Sequence, residues 1–138
     1  MRKRIWIVVL VAVAGILSVG CLTNDTNVNT SLNGYWSGRG MTINISDSNG
    51  VFTQINPPNV YWQEALDNGL INVGDQRLRN ITQTGSLRWT AQEWGFIVSN
   101  NRVTGMDWYN ITITMATNGR TITTRLGGTD MEVTYTRM

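Results

Sequence analysis

The chain offers little of the usual acid–base chemistry. Histidine is absent, and cysteine occurs once, at Cys21. Cys/His zinc sites, a Ser-His-Asp triad and histidine general catalysis are therefore excluded. The one lysine, Lys3, lies in the N-terminal stretch, which leaves no lysine for Schiff-base work further on. Carboxylates remain, scattered singly. Glu64 and Glu93 are the pair that a glycosidase-type acid and base would need. Nothing in the sequence brings those two together. The expectation is a protein that is not an enzyme, with no metal site and no cofactor.

Binding chemistry is better supplied. Trp62, Trp94 and Trp108, the last followed by Tyr109, together with Arg88 form a candidate set for a small apolar or glycan ligand. Trp89 alternates in phase with Leu87 and Ala91 and reads as core. Trp94 falls on the opposite face with Arg88, Thr90 and Gln92, and an outward tryptophan needs a reason. Arg77, Arg79 and Arg88 are close in sequence, and guanidinium forks recognise carboxylates and phosphates. Their simpler reading is a solvated sheet face. Four Asn-x-Ser/Thr triplets, beginning at Asn29, Asn44, Asn80 and Asn110, follow from an Asn- and Thr-rich composition.

Cys21 has its own chemistry. Arg2, Lys3 and Arg4 precede an apolar run over residues 5–17, and Gly20 stands immediately before the cysteine. A positive start, 7–15 apolar residues and a small residue make a secretory signal, and this run is short for a membrane span. Ser18-Val19-Gly20-Cys21 resembles the lipobox of bacterial lipoproteins, although Ser18 stands where that family prefers Leu. The resemblance implies cleavage before Cys21 and acylation of its thiol, with the membrane as partner. Ordinary cleavage nearby and an uncleaved anchor are the other readings of the same stretch. Leu22, rather than Asp, follows the cysteine and so resembles a cargo bound for the outer membrane.

Cleavage would change the charge balance. The formal +2 includes Arg2, Lys3 and Arg4; the remaining eight basic residues are all Arg, against nine acidic ones. A near-neutral domain gives no support for nucleic-acid binding.

These residues must be positioned by a small β-rich domain. Residues 22–32 are polar and without periodicity, as in a flexible tether. The division expected is a signal over 1–20, an acylated Cys21 and tether over 21–32, and one domain over 33–138. Met41, Ile43 and Ile45 alternate with polar residues as in a half-buried strand, and Asn49-Gly50 suggests the hairpin turn after them. Ile111, Ile113 and Met115 alternate likewise before Asn118-Gly119. A turn there places Met115 opposite Ile122 and Ile111 opposite Leu126. Further strands are expected over 76–82, 87–94, 96–99, 102–108 and 130–137. Asn59 should cap a short helix over 60–67 that Gly69 ends.

Gly34-Tyr35-Trp36 resembles the Gly-x-Trp motif on the first strand of lipocalins and related calycins. In those families an Arg from the last strand covers the Trp at one barrel end. Met131, Val133, Tyr135 and Arg137 would share the inner face of the last strand, which places Arg137 over Trp36. The resemblance gives Gly34, Trp36 and Arg137 a structural role. The fold expected is mainly β, a small antiparallel calycin-like barrel of about eight strands with one short helix; a β-sandwich is the alternative. Gly38-Arg39-Gly40 should supply a bend, because the apolar phase shifts between Trp36 and Met41. Function is expected in binding, or else in a structural or inhibitory contact with an envelope protein by a barrel whose interior is filled.

Overall fold

The computed structural model describes residues 28–138, so the expected signal and Cys21 lie outside the described residues. Eight strands run in chain order around a closed antiparallel barrel: β1 (Gly34–Gly38), β2 (Met41–Ser46), β3 (Asn49–Ile55), β4 (Gln76–Gly85), β5 (Arg88–Ser99), β6 (Arg102–Met115), β7 (Thr121–Leu126) and β8 (Glu132–Arg137). Strands β1 and β8 close it, with Trp36 opposite Arg137 and Ser37 opposite Thr136. The sandwich alternative is thereby set aside. Closure removes the sheet edges over the length of the barrel wall.

Local chemistry fixes the turns. Arg39 and Gly40 take left-handed φ values of 48° and 74° between β1 and β2. A Cβ on Gly40 would collide with the Asn56 carbonyl, so the expected bend is a tight turn under backbone. Asn100 and Asn101, at φ 50° and 58°, join β5 to β6 as the mirror-image turn that hairpins favour. The register expected for the β6–β7 hairpin holds, with Met115 opposite Ile122 and Ile111 opposite Leu126.

Helix α1 (Val60–Asp67) lies between β3 and β4, and the Asn59 side chain accepts from the N–H groups of Tyr61 and Trp62. Gly69, at φ 68°, ends it as expected.

Four expectations need correction. The β2–β3 turn is made by Asp47, at φ 53°, and Ser48; Asn49 and Gly50 belong to β3. Gly50 is used for packing instead, since a Cβ there would crowd Leu78 and Ile45. The segments read as separate around Gly95 and Asn110 are the continuous strands β5 and β6, paired along their full length. Met131 precedes β8 and is exposed, so it does not share the inner face of Tyr135. Arg77, finally, is not on a solvated face. The register against β3 passes from Gln76 opposite Val51 to Leu78 opposite Gly50 and skips Arg77, so Arg77 and its neighbour Leu78 are both buried.

The barrel interior is occupied by side chains. Trp36, Phe52, Ile113 and Ile122 are fully buried, and Ile43, Ile45, Leu78 and Tyr135 nearly so. Each such residue contributes about 1.5–3 kcal/mol on leaving water.

Candidate functional site

Three arginine–tryptophan pairs organise the molecule. The first closes the end where β1 begins. Arg137 lies 4.2 Å from the Trp36 ring centroid, as the Gly-x-Trp resemblance implies. It also donates to main-chain carbonyls of Ser31 (2.5 Å), Asn33 (2.9 Å) and Gly119 (2.9 Å), and more distantly to that of Asn29. Trp36 Nε1 donates to the Leu32 carbonyl at 2.8 Å, and Leu32 is buried. Partial burial lowers the Arg137 pKa from its ordinary value. Residues 29–32, expected as the last part of a loose tether, are thus bound to the barrel together with Asn33.

The second pair fills the other end. Helix α1 brings Trp62 over Arg77, 4.8 Å from the guanidinium carbon, and Phe52 lies 5.6 Å from it. Arg77 Nη2 is 2.6 Å from Glu93 Oε1, with side-chain exposures of 4% and 15%, and Nη1 donates to the Trp94 carbonyl. Arg77 Nε has no acceptor among the described residues. Burial pushes the Tyr135 phenol up from its ordinary value, and the Arg77 charge pulls against that rise. Tyr61 and Trp62 pack on Phe96, whose ring centroids are 5.9 and 4.9 Å away. Outside this interior group, Glu64 ties α1 to β6: it accepts from Arg102 Nε at 2.5 Å and from the Val103 N–H at 3.0 Å. Those two bonds, the backbone one first, hold the Glu64 carboxyl below its ordinary pKa. Glu64 and Glu93 are therefore held by different guanidiniums and do not form an acid–base pair.

The third pair is on the outside. Because Trp89 and Ala91 point inward on β5, and Ile111 and Ile113 on β6, Trp94 and Trp108 stand opposite each other on the outer face. Their centroids are 4.9 Å apart, and the Arg79 guanidinium lies 4.0 Å from the Trp108 ring. Arg79 Nε donates to Gln92 Oε1 at 2.8 Å, and Gln92 Nε2 donates to Asn110 Oδ1 at 3.2 Å. Beyond this amide row a shallow groove of about 400 Å³ runs along the sheet between Asn80, Thr90, Thr112 and Gly127.

The candidate ligand residues are therefore dispersed. Trp62 is buried under α1, and Trp94 and Trp108 form the outer shelf. Tyr109 packs on Gly95, with its hydroxyl 3.4 Å from the Phe96 carbonyl. Arg88 lines a separate outer groove near the opposite end of β5, with Arg125 and Glu132. Arg79 was considered only with Arg77 and Arg88, and Gln92 and Asn110 were missed as site residues, because only the cross-strand register places all three beside Trp108.

No protein-family model, curated protein or solved structure matches this chain.

Proposed function

We propose that the chain is a non-catalytic binding protein, held at the cell envelope by an acyl group on Cys21, that takes a glycan on the outside of its barrel. The observation that carries this reading is the Trp94–Trp108 shelf, continuous with Arg79, Gln92 and Asn110. A sugar ring stacks its C–H face on an aromatic ring, while its hydroxyls need paired donors and acceptors beside that ring. An apolar ligand would instead need an enclosed space, and the interior is taken by Trp36, Phe52, Trp62 and Tyr135. Envelope glycan fragments should change the tryptophan fluorescence of the soluble domain. Trp108→Ala and Arg79→Ala should each weaken that binding about tenfold, a loss of roughly 1.4 kcal/mol. Unchanged affinity in both variants would exclude the shelf.

A second reading, contact with an envelope protein, is favoured by Ile97 and Val98. These lie at the tip of the β5–β6 hairpin with exposures of 41% and 43%. Crosslinking in cells through a photoreactive residue at Val98, compared with one at Thr90, separates the two readings.

A further inference from the structure

The clamp on residues 29–33 has a consequence for how the domain stands on a membrane. Arg137 fixes the carbonyls of Ser31 and Asn33 and reaches that of Asn29. Gly119, at φ 68°, lets this segment lie against the β6–β7 turn, where any side chain would collide with the Asn29 carbonyl. The chain therefore leaves the barrel near Val28, at the Trp36 end. Cys21 is seven residues earlier. At 3.3–3.6 Å per residue, those seven span at most about 25 Å. Strand β5, with 12 residues, is roughly 40 Å long, and a tilt of about 35–45° leaves roughly 30 Å of it along the barrel axis. A leader of about 25 Å cannot pass along that length, so the barrel cannot turn over. A leader free as far as Gly34 would span about 45 Å and allow either end to face the lipid.

We infer that the barrel stands with its Trp36 end against the lipid headgroups and its α1 end directed away from them. The inference rests on the acylation of Cys21 proposed above. The surface that meets the bilayer carries Asp47, Ser48, Asn118 and Arg120, all exposed. One acid, one base and neutral polar groups suit a zwitterionic headgroup layer better than a strongly anionic one. The glycan shelf lies on the side wall, parallel to the membrane normal, and Ile97 and Val98 lie at the end that points away from the lipid.

The test uses the full chain purified from membranes and returned to phosphatidylcholine vesicles that carry an acceptor dye on the headgroup. Ser48→Cys and Ser99→Cys place a thiol at either end of the barrel for a maleimide donor dye. Energy transfer should be at least about twofold stronger from position 48 than from position 99. A Gly/Ser insertion of about twelve residues after Asn24 should level the two signals without touching the fold. The unsubstituted protein is the control, because an acylated Cys21 does not react with maleimide. Equal or reversed transfer with Cys21 blocked overturns the orientation alone. A reactive Cys21 in a protein that leaves the membrane overturns the anchor and the orientation with it.

Discussion

At one end of the barrel Arg137 covers Trp36; at the other Arg77 lies against Trp62. The chemistry around the two guanidiniums differs. Among the described residues Arg137 has only neutral carbonyl acceptors, and it stays partly in contact with water. Arg77 is almost fully buried, is balanced by the Glu93 carboxylate and has one N–H without an acceptor among the described residues. The first end is a clamp that can be undone at moderate cost. The second is a buried ion pair, where taking out one partner is far worse than taking out both.

That contrast is broken most severely at Glu93. Glu93→Gln leaves the Arg77 charge buried without a counterion and should cost about 3–5 kcal/mol, measured by urea unfolding. Replacing both, with Arg77→Met and Glu93→Leu, should recover most of that loss, because the apolar pair packs against Phe52 and Trp62 without desolvating a charge. A double variant as unstable as the single one would mean that the ion pair is not the source of the effect.

Arg137→Ala comes next. It removes charge-assisted hydrogen bonds and a cation–π contact at a partly wet site, so about 2 kcal/mol is expected. The distinguishing readout is local: residues 28–33 should become protease-sensitive while α1 keeps its hydrogen-exchange protection. Arg137→Lys should rescue little, since an ammonium cannot span several carbonyls from one plane.

The two ends were also unequally legible in the sequence. Gly34 and Trp36 were legible through the resemblance to the Gly-x-Trp motif, and period-2 alternation along the last strand carried Arg137 to the face that meets Trp36. The hairpin around Asn118-Gly119 was legible for the same reason, as apolar residues meet apolar residues in one register only. The Asn59 cap announced α1 through a purely local bond. Arg77 was not legible. Its burial depends on the register shift against β3, which is set by packing between strands and leaves no local trace. The outer shelf was half visible: alternation turned Trp94 outward, but only pairing with β6 supplies Trp108 and Asn110. Asn49-Gly50 misled because a strong turn pair can also serve close packing, here against Leu78.

The mildest test separates the ends by pH. Glu64 holds α1 to β6 through Arg102 and the Val103 N–H, and its pKa is lowered by those bonds. A carboxylate depressed in the folded state contributes stability above the ordinary glutamate value of about 4.3, and that contribution is lost as pH falls through the folded value. Acidification should therefore speed hydrogen exchange at Val103 and along α1 before residues 29–33 are affected, because no carboxylate among the described residues takes part in the Arg137 clamp. At neutral pH Glu64→Gln should reproduce the same local loosening, since an amide oxygen accepts from Val103 but pairs weakly with Arg102. If α1 and residues 29–33 lose protection together at every pH, the two ends form one cooperative unit, and the contrast between clamp and buried pair describes chemistry without independent motion.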